Sequence, residues 1–347
     1  MSNVTLREVG PDDDAMRLDR WLRRLHPVLT QGQIEKMCRK GEVRVDGGRV
    51  KAATRLAPGQ QVRIPPLPET PPPPPPAEGP SDSDAAMIRD AVLWMDDHII
   101  ALNKPPGLPS QGGSGQGMRH VDGLTPALAF GYKERPVLVH RLDKDTSGLP
   151  LLARTHRVAR RLGEAFRARQ TRKIYWAVVA GVPAPRMGTI RYGLVKAGGG
   201  GRGGEGEKMR CILPDAVEAT EGARRATTDY AVIEALGRRA AWVALVPVTG
   251  RTHQLRAHMA EIGHPIAGDG KYGGSGQENA GDGWGAQLGG DISRKLHLHA
   301  RSLGFEHPVT GAEIVLTAPL PAHMARSWAT FGWDADAAPA DPFAEQA

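Results

Sequence analysis

The chain has 347 residues, beyond the roughly 100–200 of a single domain, and its 40% hydrophobic and 24% charged content is that of a globular protein, not a peptide or a fibre. Two cysteines, Cys38 and Cys211, far apart and outside any CxxC spacing, exclude a disulfide framework and a cysteine zinc site. The net charge of +7 favours polyanionic partners, and 43 glycines with 29 prolines require long loops or linkers. No apolar run approaches the ~20 residues of a spanning helix, and the N-terminus is acidic (Asp12, Asp13, Asp14) rather than basic and then apolar. A cytoplasmic protein outside the membrane is the expectation.

Leu18, Trp21, Leu22 and Leu25 recur at helical spacing, as do Ile34, Met37 and Cys38 before a stop at Gly41. Val43 and Val45 alternate into an Asp46-Gly47 turn, and Val62 with Ile64 closes a hairpin-like run. These predict a helix–helix–strand module over residues 15–65. Between Arg17 and Ile64 stand twelve Lys/Arg and four Asp/Glu, a net of +8, so the rest of the chain sums to −1. So much charge on so small a unit marks a phosphate-backbone footprint more than a solvated face.

From Pro65 to Pro80, ten of sixteen residues are proline, which can join neither helix nor sheet. Residues 66–85 are therefore predicted to be a linker. Beyond it, Val92–Met95, Ile99–Asn103, Val137–His140, Leu149–Ala153, Ile174–Ala180, Thr228–Ala235, Ala241–Val248 and Ile314–Ala318 read as strands. Thr155 caps a helix to about Gln170 that carries Val158, Leu162 and Phe166 on one side and Arg157, Arg160, Arg161, Arg167 and Arg169 as a phosphate-facing strip. Short strands joined by tight turns such as Gly237-Arg238-Arg239 predict an α+β domain over 86–333, with a mixed, largely antiparallel central sheet and flanking helices. Gly198–Gly206 and Gly273–Gly290 read as flexible surface insertions, and 334–347 as a disordered tail.

Two polar clusters could carry chemistry. His140-Arg141-Leu142-Asp143-Lys144-Asp145-Thr146-Ser147-Gly148 lies between two apolar strands, and Gly250-Arg251-Thr252-His253-Gln254-Leu255-Arg256-Ala257-His258 opens a helix. The first offers a carboxylate and the second offers cations but no acid, so an arginine beside Asp143 would hold that carboxylate charged. Histidine metal sites from His253, His258 and His264, or His297, His299 and His307, lack an HExxH pattern or paired carboxylates at ligand spacing. A retaining glycosidase would need a second carboxylate at a defined separation and would leave the basic module without a role.

The first cluster resembles the signature of the RluA/RluC/RluD family of pseudouridine synthases. Further blocks stand in the family's order: Asn103-Lys104-Pro105-Pro106-Gly107; Arg172-Lys173-Ile174-Tyr175; Gly250–His258 continuing to Gly268-Asp269 and Tyr272-Gly273; and His299 through His307-Pro308 and Gly311. The basic module is similar to the S-four-like RNA-binding domain of RluC-type members. The polyproline linker, the two glycine insertions and Ser110–Gly117 depart from the family pattern.

The resemblance implies an RNA pseudouridine synthase, an isomerase without cofactor or metal, acting as a monomer on large-subunit ribosomal RNA. It implies catalysis by Asp143, with Asp145 the substitute, Arg256 as its partner and Tyr175 stacking on the uracil. A core tyrosine beside Trp176 is the alternative for Tyr175. Arg141 would fill the space of the flipped uridine, since the base must leave its stack before C1′ is reached. His140, Lys173, Arg251 and His253 are expected to bind substrate, and Arg17, Arg20, Arg39, Lys40 and Arg44 to bind RNA. The competing reading is a non-catalytic RNA-binding factor of ribosome assembly.

Overall fold

The computed structural model describes residues 4–27, 29–67, 79–112, 117–197, 208–273 and 292–343. It divides into two compact units, residues 1–78 and 79–347.

In the first unit, α1 (Leu18–Leu25) and α2 (Gln31–Lys40) pack on a four-stranded sheet of order β1-β4-β2-β3, with β1 at Thr5–Glu8, β2 at Arg44–Val45, β3 at Gly48–Arg49 and β4 at Gln61–Ile64. Helix α1 buries Leu18, Trp21 and Leu22, and the Trp21 indole donates to Asp13 at 2.8 Å. A reciprocal Thr30–Gln33 capping box starts α2, and Gly41 in the left-handed region ends it. Asp46 and Gly47, both at positive φ, make the tight turn between β2 and β3. The module begins earlier than residue 15: β1 pairs antiparallel with β4. All four β1 residues are exposed, so no burial pattern announces the strand.

The second unit opens with α3 (Asp82–Asp90), whose first turn Ser81 caps; the linker thus ends at about residue 80, not 85. Residues 68–78 lie outside the described residues, as do the expected insertion Gly198–Gly206 and all of Gly273–Gly290 but Gly273. A small antiparallel sheet runs β5-β6-β9-β7, from β5 (Val92–Met95), β6 (Ile99–Leu102), β7 (Val137–Leu138) and β9 (Leu151–Ala153), with α4 (Val121–Leu124) beside it. The main sheet has the order β12-β11-β13-β14-β10-β15-β16. Its strands are β10 (Arg172–Ala180), β11 (Met187–Lys196), β12 (Met209–Ile212), β13 (Arg224–Leu236), β14 (Ala240–Pro247), β15 (Leu298–Glu306) and β16 (Glu313–Thr317). Short β8 (Ser147–Gly148) joins β15 in parallel, and every other pairing is antiparallel. The expected α+β architecture is therefore observed. No helix among the described residues is long and apolar enough to cross a membrane.

Helix α5 (His156–Arg167) seats Val158 and Leu162 on a core shared by both sheets, including Ile99, Leu151, Ala300 and Phe305. Helix α6 (Gln254–Glu261) packs against β14 and β10 through Leu255 and Met259. On the opposite face, α7 (Ala322–Phe331) brings Trp328 and Phe331 against Trp176 and Trp242.

The expected disorder from residue 334 does not hold through residue 343. Phe343 is buried, and Asp341 takes two hydrogen bonds from Arg172 at 2.9 and 2.8 Å. One aromatic and one carboxylate anchor a segment whose alanines and aspartates otherwise signal nothing.

Candidate active site

Asp143 stands on the loop between β7 and β8, where several backbone contacts fix its direction. The Ser110 hydroxyl donates to the Leu142 carbonyl at 2.6 Å and accepts from the Leu142 N–H at 3.0 Å. Thr146 N–H donates to the Asp143 carbonyl at 3.2 Å, closing a turn. Beyond the turn, Gly148 at φ 104° lies so close to β15 that a Cβ would stand 2.2 Å from the Ala300 carbonyl oxygen, so only glycine lets β8 dock there. The Ser147 hydroxyl meets Nδ1 of buried His299 at 2.9 Å.

Lys104 completes the brace. Its side chain is wholly buried, and Nζ donates to the carbonyls of Pro105, Leu108 and Lys144 at 3.0, 2.8 and 3.0 Å, tying the segment after β6 to the Asp143 loop. Burial pushes this amine down to about 7, against the pull of Asp145 and Asp143. Its block was recognisable in the sequence, but its role was not. A lysine between the buried strand Ile99–Leu102 and a Pro-Pro pair is the signal, since a cation at that point must find acceptors.

Asp143 opens onto a cleft of about 920 Å³ whose wall includes Arg141, His140, Lys173, Tyr175, Arg251, His253 and Arg256. Every expected catalytic and substrate-binding side chain thus converges on one cavity. Asp143 is about one-third exposed, with Arg256 Nη1 at 3.8 Å and His253 Nε2 at 3.9 Å from its Oδ2.

The partnership of Arg256 differs from the sequence expectation. Its guanidinium is committed to Asp269 by a buried bidentate pair, Nε to Oδ2 and Nη2 to Oδ1, each 2.7 Å. Only Nη1 is turned toward Asp143, at a distance longer than a hydrogen bond. Burial opposes the arginine's charge, but Asp269 and then Asp143 outweigh it and raise its pKa. Asp269 also accepts the N–H groups of Lys271 and Tyr272 at 3.0 and 3.2 Å. The sequence places Gly268-Asp269 in a block shared with the family but gives Asp269 no role, because thirteen positions separate it from Arg256.

His253 caps α6 in the left-handed region, φ 51°, and its Nδ1 lies 3.0 Å from the Tyr272 hydroxyl. Burial pushes its imidazole down, Asp143 pulls it up and Arg256 pushes it down again, with a net lowering. Tyr175 sits at a register shift between β10 and β15, packs on both neighbouring cores and lines the cleft, so its core and site readings coincide. Burial and then Asp143 raise its phenol above the ordinary value. His140 stacks on Phe166 at 4.4 Å, and its Nε2 accepts the Leu151 N–H at 3.2 Å. Burial and then Lys173 hold it neutral, with the pKa lowered to about 3. Lys173 is itself lowered by burial, with Nζ 5.5 Å from the Phe166 ring centroid. Arg141 is exposed and reaches Gln111 at 3.4 Å, while Arg251 Nε donates to the Arg225 carbonyl at 3.2 Å.

In the first unit the expected RNA-binding side chains differ in how they are held. Arg17 is held by Asp19 through bonds of 3.1 and 2.6 Å, and Arg44 donates to the carbonyls of Gly41 and Gly47. Arg20, Arg39 and Lys40 are exposed, Lys40 lying 3.5 Å from Glu42. Among the described residues no group of three or more His, Cys, Asp or Glu side chains could hold a metal ion.

The second unit is thus a mainly antiparallel α+β fold that presents one carboxylate, Asp143, in a cation-rich cleft. The chain belongs to the RNA pseudouridylate synthase family, which residues 98–261 match, and residues 16–62 match the S4 domain. It is 34% identical over 330 residues to the ribosomal large subunit pseudouridine synthase C of Escherichia coli (strain K12), covering 93% of this chain and 95% of that protein. To the Yersinia pestis protein of the same name it is 35% identical over 320 residues, covering 91% and 92%. Among solved structures, human RNA pseudouridylate synthase domain containing 4 superposes with a TM-score of 0.58 at 30% identity, over 72% of this chain and 95% of that one. The protein is accordingly an RNA pseudouridine synthase, an isomerase.

Proposed function

We propose that this enzyme converts uridines of large-subunit ribosomal RNA to pseudouridine, acting as a monomer in the cytoplasm with Asp143 as its catalytic carboxylate. The reaction breaks the N1–C1′ bond, turns the uracil and rejoins it through C5, with no redox change and no net use of water. One carboxylate near C1′ and C2′ serves it, either by attack on C1′ or by removal of the 2′ proton to give a glycal. The single observation that carries the assignment is the convergence on one cleft of Asp143, Arg256 and Tyr175 from three separate segments of the chain.

Arg256 acts as an electrostatic neighbour: held by Asp269, it keeps a fixed positive charge beside Asp143 without forming a close pair that would block attack. Tyr175 offers a ring for the extruded uracil, and Arg141 at the cleft mouth is suited to the gap left in the RNA. The similarity to ribosomal large subunit pseudouridine synthase C proteins over nine-tenths of the chain supports the substrate class. The exposed basic side chains Arg20, Arg39 and Lys40 of the first unit support a role in holding RNA.

Mapping pseudouridines in ribosomal RNA from a strain lacking the gene tests this reading. Specific large-subunit positions should lose the modification and regain it on complementation with the wild-type gene but not with Asp143→Asn. An unchanged modification map would overturn the substrate assignment.

A further inference from the structure

Away from the cleft, on the segment between α4 and β7, two aromatic side chains face solvent. Phe130 and Tyr132 are 42% and 43% exposed. Phe130 has φ 45°, in a region that L residues enter at a cost, and Gly131 follows at φ 87°. Tyr132 is oriented by its hydroxyl, which donates to Asp97 at 3.2 Å. Beneath them lies Arg154, only 5% exposed, its guanidinium 4.4 Å from the Tyr132 centroid and 5.8 Å from that of Phe130. Arg154 is fixed by the Asp96 carbonyl at 2.8 Å, and its Nη1 has no hydrogen-bond partner among the described residues. A buried cation thus lies against two aromatic residues, each of which keeps about two-fifths of its surface exposed.

The chain connects this feature to the cleft. Arg154 immediately precedes Thr155, the cap of α5, whereas Arg167 and Arg169 at the other end of that helix line the cleft. Twelve helical residues at 1.5 Å each separate the two by roughly 18 Å. Arg157 and Arg160 are exposed along the way.

We propose that a single-stranded part of the RNA substrate leaves the cleft, runs along the arginines of α5 and stacks a base on the Phe130–Tyr132 platform. Arginines match its phosphates, and aromatic faces over a cation match its bases without regard to sequence. A protein partner would suit an apolar patch, but the line of exposed arginines reaching the catalytic cleft favours a polyanion. The inference rests on the RNA-modifying function above.

The test uses the full-length enzyme and tritium release from a C5-labelled transcript of large-subunit ribosomal RNA. Phe130→Ala/Tyr132→Ala should raise KM about tenfold or more while kcat and the salt dependence of binding stay near wild type, because stacking and not phosphate contact is lost. Tyr132→Phe should keep the wild-type KM, since the ring remains. Arg157→Gln/Arg160→Gln should raise KM and also flatten the salt dependence. In parallel, a 4-thiouridine-substituted oligouridylate is photocrosslinked to the wild-type protein, and adducts should map to Phe130 or Tyr132. An unchanged KM in the double alanine variant, or the absence of adducts at both rings, would overturn the proposal, and the crosslinking decides if that variant does not fold. Wild-type protein that releases no tritium refutes the function itself, a separate outcome.

Discussion

Arg256 and Asp269 form a buried, two-bond ion pair that leaves one guanidinium nitrogen 3.8 Å from Asp143. Asp269 therefore positions the charge that faces Asp143 without itself lining the cleft. Asp269→Asn should lower kcat at least about tenfold with little change in RNA affinity, by loosening that nitrogen. Arg256→Ala should destabilise the fold by about 3–5 kcal/mol, because it strands a carboxylate with no exposure. Steady-state kinetics and denaturant titration separate the two effects. Wild-type kcat in Asp269→Asn would show that the orientation of Arg256 is immaterial.

Lys104 yields a prediction for pH. Its amine falls from the ordinary lysine value of 10.5 to about 7 in the folded protein, so the unfolded chain binds more protons between those limits. Stability from this group is complete above about pH 10.5 and is lost as pH falls through 7, with no further change below. Relative to Lys104→Met, the wild type should gain up to about 1.4 kcal/mol per pH unit across that window and show a constant difference between pH 5 and 6. Urea titrations of both proteins at several pH values check it. A difference that does not vary with pH would mean that Lys104 keeps its charge.

The boundary at residues 78/79 allows the basic unit to be removed intact, since its buried core is drawn wholly from residues 9–64. Deleting residues 1–78 should raise KM and flatten the salt dependence of RNA binding, with kcat at saturating RNA nearly unchanged. Equal losses in kcat and melting temperature would instead show that the unit stabilises the catalytic domain.

What the sequence disclosed follows burial and local chemistry. Strands with both faces buried, such as Ile99–Leu102 and Ala240–Pro247, stood out as apolar runs, and the Thr155 cap announced α5. Strand β15 did not, because His299 is buried by bonding to Ser147 rather than by being apolar, and Arg301 spends its charge on the Ala318 carbonyl and the Trp176 ring. Strands β11 and β12 mix exposed and buried positions too irregularly to register as period two. In the site, Asp143 and its neighbours were legible as a dense polar cluster. Asp269 and Lys104 stood in recognised blocks but their roles were not legible, because Asp269 meets Arg256 thirteen positions away and Lys104 ties its own segment to the distant Lys144 carbonyl.

The central claim is that Asp143 performs uridine isomerisation in RNA. Tritium release from C5-labelled large-subunit ribosomal RNA, compared between the wild type and Asp143→Asn, measures it most directly. Release by the wild type and a loss of about a hundredfold or more in kcat for the variant, with RNA affinity retained, is the predicted result. Release by the variant at near the wild-type rate, or none by the wild type on any cellular RNA, would contradict it.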